Sequence, residues 1–282
     1  MHIGKFEILI AWDNYFKLDG GAMFGVVPKP LWNKTDPADE RNRILLSLNP
    51  MVIRFDKGVF IVDTGIGDKW DAKNKDILAL ARSSNMIKSL SEMGINKEDI
   101  TGVILTHLHF DHTGGSVEKD GNGGLTPTFP NAQYYVQQGE WDFAVNPNER
   151  TKGSYMPENF LPLLEHRRVQ FLNGDEEIVS GIRVEVTGGH TTHHQIVLIE
   201  SGGKKACYSG DIIPTNSHIK IPYIMGYDTN PLDTLDAKKK LIKHALEENW
   251  LVVFPHAPRL RAGYFQQTEN GVILSPVDLN EE

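Results

Sequence analysis

Candidate metal ligands follow four separate apolar strands in this chain, and this placement restricts its fold more than any other feature. The cluster in LTHLHFDHTGG, residues 105–115, follows the predicted strand GVILT. His190 follows IRVEVTGG, Asp211 follows KACYSG and His256 follows LVVFP. Side chains delivered where neighbouring strands end converge on one edge of a sheet, beneath the loops that shape a pocket. The pattern therefore predicts one polar site at a sheet edge.

The donor set at these strand ends predicts a binuclear metal centre. A single histidine is usually a solvated or hydrogen-bonded residue, but H-x-H-x-D-H arises by chance in only about one such chain in a thousand. The candidate ligands are His107, His109, Asp111, His112, His190, Asp211 and His256. These imidazoles and carboxylates exceed the needs of one tetrahedral ion and fit two ions that share a ligand. One structural zinc with spare histidines is the weaker alternative, since cysteines usually close structural zinc sites.

Short apolar strands alternate with helices and glycine-rich turns along the chain. The predicted strands are MVIRF, GVFIVD, GVILT, AQYYV, RVQFL, IRVEV, IVLIE, KACYS and LVVF. Helices are predicted over 75–93 and over 234–249, the second capped by Asp233 or Thr234. This alternation of strands and helices favours helix-covered sheets in one domain spanning residues 1–282. Two segments break the alternation, either as lids or as surface excursions. They are an apolar loop segment at 18–32 and a loop with a short helix at 146–166.

Charge, segment length and cysteine content argue against a nucleic-acid-binding, a membrane-spanning and a disulfide-bonded protein. The net charge of −8 disfavours binding to nucleic acid. No segment approaches the length that spans a membrane. Cys207 is the only cysteine, so an internal disulfide is excluded and metal donors must be nitrogen and oxygen. We expect a cytoplasmic protein without a signal peptide.

The motifs THLHFDH, GGHTTHH, SGD and PHA resemble, in this order, the ligand motifs of the metallo-β-lactamase superfamily. The resemblance runs from about residue 45 to 260 and implies an αββα sandwich. The implied ion sites are His107, His109 and His190 for one ion and Asp111, His112 and His256 for the other, with Asp211 as the bridge. Asp63 is implied to orient a ligand. His194 matches the second histidine of the family's G-H-T-P-G-H motif, and His193 is expected to be a bystander.

The expected chemistry is hydrolysis. Two divalent ions beside three negative ligands keep a net positive charge, which lowers the pKa of a bound water to about 7 and supplies hydroxide as the nucleophile. The second ion would hold the oxyanion. Resemblance to lactone hydrolases implies that Asp111 accepts the nucleophile's proton and returns it to the leaving alkoxide. Zinc suits the nitrogen-rich set best, while manganese, iron or cobalt would also suit the carboxylate-containing site.

Two further stretches closely resemble the YtnP-like lactonases, namely GGAMFGVVPKPLW at 20–32 and IPTNSH with GYDTNP at 213–231. This resemblance implies that the enzyme opens N-acyl-homoserine lactones, the signals of quorum sensing. It also implies that the acyl tail lies against Met23, Phe24 and Val26, for which core packing is the alternative. The implied donor to the substrate carbonyl is His218, near Tyr223, with a purely structural histidine as the alternative.

Other activities of the superfamily are separated by single residues. Flavodiiron oxidoreductases usually carry Glu where this chain has His109, and β-lactamases with a cysteine ligand place it where Asp211 stands. The net negative charge of the chain disfavours a nuclease. Hydrolysis of other neutral esters, lactones or phosphotriesters, glyoxalase-II-like thioester hydrolysis, and lactone binding without turnover stay open as alternatives. A homodimer built on the apolar N-terminal segment is compatible with the sequence.

Overall fold

The computed structural model describes residues 1–280, in which the chain forms 18 strands and eight α-helices. The strands are β1 His2–Ile3, β2 Phe6–Ile10, β3 Tyr15–Asp19, β4 Arg43–Ser47, β5 Met51–Phe55, β6 Gly58–Val62, β7 Ile100–Ile104, β8 Val117–Lys119, β9 Leu125–Pro127, β10 Gln133–Gln137, β11 Val169–Leu172, β12 Glu176–Val179, β13 Ile182–Val186, β14 Gln195–Ser201, β15 Lys204–Tyr208, β16 Leu251–Val253, β17 Ala262–Thr268 and β18 Gly271–Pro276. The helices are α1 Gly20–Phe24, α2 Lys29–Trp32, α3 Ala72–Ile77, α4 Met86–Glu92, α5 Phe110–Thr113, α6 Gln138–Val145, α7 Leu161–Glu165 and α8 Pro231–Glu247. Short 3-10 turns lie at Lys97–Asp99, Gly114–Ser116, Pro157–Asn159, Gly210–Ile212 and Asn216–Ile219.

Two seven-stranded sheets form the centre of the molecule. The first has the order β1-β2-β5-β6-β7-β10-β11, and its strands β6, β7, β10 and β11 run parallel. The second has the order β12-β13-β14-β15-β16-β17-β18 and is antiparallel except between β15 and β16. Helices cover the outer face of each sheet. The αββα sandwich predicted for this chain is therefore confirmed.

Alternation along each strand builds three layers of core. In β5, Met51 and Ile53 face the second sheet, whereas Val52 faces the helices, because successive side chains point to opposite faces. Both faces of the central strands are covered, and so these strands read as continuous apolar runs. Helix α8 covers the second sheet through Leu241 and Ile242. Helices α4 and α6 cover the first sheet.

The predicted strands are all present, with ends shifted by a few residues, but the helix predicted over 75–93 is wrong. The chain instead forms α3 and α4, separated by an irregular segment in which Ala79 has a φ of 54°. That backbone bonds to distant parts of the chain, as Lys17 N donates to Leu78 O over 2.8 Å and Asn85 N to Asp13 O over 2.9 Å. Tertiary hydrogen bonds thus replace the helical ladder that the apolar spacing indicated.

The helix predicted over 234–249 forms, but it begins earlier. Pro231 occupies the first turn and Asn230 precedes it, which matches the preference of proline for helix starts. The cap expected at Asp233 or Thr234 is therefore wrong.

The segment 18–32 is not entirely the loop expected from the sequence, because it contains the short helices α1 and α2. These helices pack in a separate cluster around Phe24, Trp32 and Ile44. Segment 146–166 contains α7 after a 3-10 turn, as expected. Within residues 1–280, none of the helices combines the length and the apolar character needed to cross a membrane.

Candidate metal centre

The predicted ligands meet at one edge of the sandwich. They follow the C-terminal ends of β7 in the first sheet and of β13, β15 and β16 in the second. Strands β13, β15 and β16 run in the same direction, so their C-terminal ends lie at the same edge of that sheet. Each of the seven side chains is buried, with at most 8% of its surface exposed. Residues from both sheets and from four loops thus line a single site.

The candidate ligand atoms converge in three groups, of which two share no residue and are called the two triplets below, while the third joins His107, His112 and Asp211. His107, His109 and His190 offer atoms that all lie within 4.8 Å of one another, and so do Asp111, His112 and His256. These triplets are the two that the resemblance implied. The nitrogens converge closely, since His190 Nε2 lies 3.1 Å from His109 Nδ1.

Asp211 lies between the triplets and presents one carboxylate oxygen to each. Its Oδ2 is 3.3 Å from His190 Nε2. Its Oδ1 is 3.4 Å from His112 Nε2 and 3.1 Å from His256 Nε2. This is the arrangement that a carboxylate bridging two ions requires.

Asp63 and Thr106 orient two of the histidines. Asp63 Oδ2 lies 2.7 Å from His112 Nδ1, and the Thr106 hydroxyl donates to Asp63 while its oxygen lies 3.0 Å from His107 Nδ1. Both histidines therefore keep a proton on Nδ1, and Nε2 faces the site as the atom that would bind a metal ion. Asp63 has a φ of 59°, a strained backbone conformation of the kind found at functional sites.

Two orienting partners were missed from the sequence. Asp228 Oδ1 lies 2.8 Å from His190 Nδ1, and the Ser47 carbonyl lies 3.0 Å from His256 Nδ1. Asp228 belongs to the GYDTNP stretch, where an aspartate shortly before a helix reads as a capping residue. A backbone carbonyl such as that of Ser47 leaves no signal in a sequence.

Electrostatics at the site favour a bound cation. Burial and the neighbouring imidazoles hold the pKa of His107 and of His109 well below the usual range, so both are neutral and able to bind metal. Burial disfavours a charge on Asp211, but His112 and its neighbours keep the pKa of this carboxyl well below its usual range. Burial likewise opposes a charge on His112, yet Asp211 and Asp63 raise its pKa well above normal.

The donor atoms fit metal ions rather than hydrogen bonds. Within residues 1–280, His107 Nε2 and Asp211 Oδ1 are buried without a hydrogen-bond partner, although imidazole nitrogens surround both. Buried polar atoms are rarely left unsatisfied in folded proteins. Imidazole nitrogen with carboxylate oxygen is a donor set typical of zinc and related divalent ions.

A cavity opens directly onto the donor atoms. This site cavity is lined by Leu18, Met23, Phe110, Ser154, Met225 and Tyr227 together with His109, Asp111, His190, Asp211 and His256. Its wall is largely apolar opposite the ligands. Ser154 comes from segment 146–166, so this segment shapes the site.

The three N-terminal residues predicted to contact substrate lie in three different environments. Met23 lines the site cavity. Phe24 is fully buried and stacked between Trp32 and His218, with ring centroids 5.2 Å and 4.6 Å away. Val26 is 93% exposed. The placement corrects the expected acyl wall: of the three residues, only Met23 borders the cavity.

His218 also lies elsewhere than expected. Its ring is fully buried, Nε2 donates to Met23 O over 2.8 Å, and Nδ1 lies 2.8 Å from the Thr215 hydroxyl. Burial lowers the pKa of His218 to about 3, so the ring is neutral. Nε2 therefore supports the backbone of Met23, while Nδ1 is engaged with Thr215. The ring of Tyr223 lies roughly perpendicular to that of Phe24. This geometry replaces the expected substrate contact with a supporting one.

Comparison with known proteins identifies the family. Residues 44–256 match the family model described as the metallo-beta-lactamase superfamily. The chain belongs to the metallo-beta-lactamase superfamily. It is a hydrolase of this superfamily, and its donor set is that of a metal-dependent member.

Relatives within the superfamily include lactonases. An N-acyl homoserine lactonase of a Bacillus species is 28% identical over 220 residues, covering 73% of this chain and 79% of that protein. The N-acyl homoserine lactonase AttM of Rhizobium radiobacter is 26% identical, covering 67% and 70%.

Two solved structures share the fold over nearly the whole chain. A protein of Staphylococcus aureus described as a "probable metal-dependent hydrolase" has a TM-score of 0.89 and 33% identity, covering 98% of this chain and 99% of that one. AidC, a dizinc quorum-quenching lactonase in complex with a product, has a TM-score of 0.81 and 21% identity, covering 98% and 96%. At that identity the second likeness concerns the fold alone.

The motif GGHTTHH departs from the superfamily's G-H-T-P-G-H pattern at His193, and the structure places His193 and His194 in different environments. His194 is buried, and its Nε2 accepts from the backbone N–H of Asp211 over 3.0 Å. It therefore holds the backbone of Asp211 in place. His193 is half-buried and packs against Gly139, away from the donor atoms, in keeping with a bystander.

Proposed function

We propose that this chain is a binuclear metallo-lactonase that opens N-acyl-homoserine lactones, working as a single domain. The observation that carries the proposal is the doubled ligand triplet beneath a cavity with a largely apolar wall. Lactonase relatives at up to 28% identity support the substrate class. A neutral ring with an acyl tail suits a site that offers polar groups on one side and apolar groups on the other.

The proposed ligands are the seven predicted residues. His107, His109 and His190 would hold one ion, Asp111, His112 and His256 the other, and Asp211 both, with zinc as the preferred metal. When bound, such ions lower the pKa of a water toward 7 and polarise a carbonyl oxygen.

Asp111 is the proposed proton carrier of the reaction. Its carboxylate borders the site cavity, with Oδ2 3.6 Å from His256 Nε2. It would accept the proton that the attacking water loses and return it to the alkoxide oxygen of the opened ring. The bond between the lactone carbonyl carbon and the ring oxygen breaks, a bond from that carbon to the water oxygen forms, and the product is the N-acyl-homoserine.

Tyr227 is proposed as the donor to the substrate, the role expected of His218. Its half-buried side chain lines the site cavity with Asp111 and Asp211. Burial, together with the carboxylates of Asp19 and Asp111, raises the pKa of Tyr227 to about 12. The phenol therefore keeps its proton at neutral pH and can donate to a carbonyl oxygen.

A substrate panel tests the proposed function. Metal-loaded protein is assayed with N-acyl-homoserine lactones, simple lactones, aryl esters, phosphotriesters and glutathione thioesters. We expect the highest kcat/KM for the acyl-homoserine lactones and a loss of about 10²-fold in Tyr227→Phe with unchanged metal content. A higher kcat/KM for thioesters or phosphotriesters would assign the chain to those hydrolases, and binding without turnover would make it a lactone sensor.

A further inference from the structure

Glu140 is a buried carboxylate in α6 whose hydrogen bonds connect three loops of the site. Only 1% of its surface is exposed. Oε1 accepts from the backbone N–H of Leu108 over 3.1 Å and from the Tyr155 hydroxyl over 3.0 Å. Oε2 accepts from the Thr191 hydroxyl over 2.6 Å. The carboxylate therefore has three donors in a place closed to solvent.

The partners of Glu140 lie directly beside the three histidines of the first triplet. Leu108 lies between His107 and His109 in the chain, and Thr191 directly follows His190. Tyr155, from segment 146–166, packs its ring against His109 with centroids 4.9 Å apart. The hydrogen bonds of Glu140 therefore reach neighbours of all three histidines of the first triplet.

The second triplet depends on other partners. Asp63 orients His112, and the Ser47 carbonyl orients His256. Among residues 1–280, the hydrogen bonds of Glu140 go to Leu108, Tyr155 and Thr191, none of which belongs to this second group. A change at Glu140 should therefore act unequally on the two ion sites.

Burying the carboxylate of Glu140 costs desolvation free energy. Burial raises the pKa of Glu140, and the hydrogen bonds from Thr191, Leu108 and Tyr155 oppose that shift. An apolar side chain would fill the same volume of core without this desolvation cost. The three donors come from segments far apart in sequence, so what the carboxylate supplies is a fixed spacing between them.

We propose that Glu140 is a positioning residue for the triplet of His107, His109 and His190, holding their two loops at the spacing that binds an ion. The proposal rests on the ligand assignment of the proposed function. It assigns Glu140 no contact with substrate and does not depend on which ester is hydrolysed.

Metal titration of the apo-protein tests the proposal without any substrate. Wild type and Glu140→Gln are titrated with Zn²⁺ against a chromophoric chelator, which gives the two dissociation constants separately. We expect one ion to bind about 10- to 100-fold more weakly in Glu140→Gln, as for other partners of metal ligands, and the other to change less than threefold. Equal weakening of both ions, or no weakening in a folded variant, would overturn the proposal.

A milder variant and a control keep the result interpretable if Glu140→Gln folds poorly. Thr191→Val removes one hydrogen bond at nearly constant volume and should weaken the same ion by a smaller factor, whereas Thr191→Ser should restore it. Asp13→Asn changes another fully buried carboxylate, which accepts from Ile66 N over 2.8 Å, and should leave both constants unchanged. Loss of metal in Asp13→Asn equal to that in Glu140→Gln would reduce Glu140 to a general stabilising role.

Failure of the proposed function gives a different result. If wild type binds two ions but prefers another substrate class, the substrate assignment fails and the role of Glu140 stands. If wild type binds one ion, the ligand assignment and the role of Glu140 are both overturned.

Discussion

The two ring nitrogens of each candidate ligand histidine face different partners. Nδ1 of His112, of His190 and of His256 each faces an acceptor, and Nε2 of each faces Asp211. A hydrogen bond to one nitrogen fixes the tautomer and the ring orientation of the other. The chain therefore builds its donor set before any ion binds, which lowers the entropic cost of binding.

Met23 and Phe24 are neighbours in sequence with different environments, which predicts different effects of mutation. Phe24→Ala empties a stacked, fully buried position and should destabilise the fold by about 3–5 kcal/mol without changing the preference for acyl-chain length. Met23→Ala opens the wall of the site cavity and should lower kcat/KM for long-chain lactones relative to short-chain ones by roughly tenfold. Urea unfolding and chain-length profiles on folded, metal-loaded protein measure both effects.

The two variants serve as controls for each other. Val26→Ala, at a position that is 93% exposed, should leave stability and profile at wild-type values. A changed chain-length profile in Phe24→Ala would return this residue to the substrate site, and a parallel profile in Met23→Ala would remove Met23 from it.

At the scale of the element, α8 carries a buried lysine that ties it to the loop before Asp228. Lys238 is fully buried, and its Nζ donates to Lys220 O over 2.8 Å and to Tyr223 O over 2.6 Å. Burial lowers the pKa of Lys238 to about 7, although the carboxylate of Asp228 opposes the shift. This loop also supplies Met225 and Tyr227 to the site cavity.

The depressed pKa of Lys238 predicts a pH dependence of stability. In the unfolded chain a lysine keeps its proton up to about pH 10.4, whereas folded Lys238 loses it near pH 7. The unfolded state thus binds more protons above pH 7, so stability rises with pH in this window. Relative to Lys238→Met, wild type should gain about 2 kcal/mol between pH 7.5 and pH 9.5.

Guanidinium unfolding of wild type and Lys238→Met at the two pH values measures this difference. Lys239→Met is the control, since the side chain of Lys239 is 53% exposed on the same helix, and it should follow wild type at both pH values. A difference between wild type and Lys238→Met that stays constant with pH would show that Lys238 is buried with its proton.

For the whole molecule, the site joins the two sheets, and removing bound metal should therefore lower global stability. Buried imidazoles and carboxylates lose their counter-ion, and a ligand held at about 100 times its Kd contributes about 2.7 kcal/mol to folding. For one or two such ions in a chain of this size, we expect chelation to lower Tm by about 4–9 °C. Calorimetry before and after chelation measures the shift, and added Zn²⁺ should reverse it. An unchanged Tm after verified metal removal would contradict the coupling.

Local patterns were enough to predict helix-covered sheets and the set of candidate ligands, whereas the αββα sandwich was implied by the resemblance to the superfamily. Strands such as MVIRF and LVVF are specified by short-range apolar patterning, and the residues after them share an edge whenever the strands run parallel. His107, His190, Asp211 and His256 were therefore identifiable from where each follows its strand. Their grouping into two triplets required resemblance to the superfamily, because sequence spacing carries no distance between separate loops.

Only the tertiary structure separated Met23 from Phe24, gave His218 a supporting role, and brought Glu140 between the ligand loops. It also broke the helix expected over 75–93, where distant backbone groups form the hydrogen bonds. In each case the deciding contact joins residues far apart in the chain, and periodicity reports only which side of its own element a residue occupies. The sequence by itself determined which candidate ligands lie at one edge of the sandwich, and the packing of separate segments decided what surrounds them.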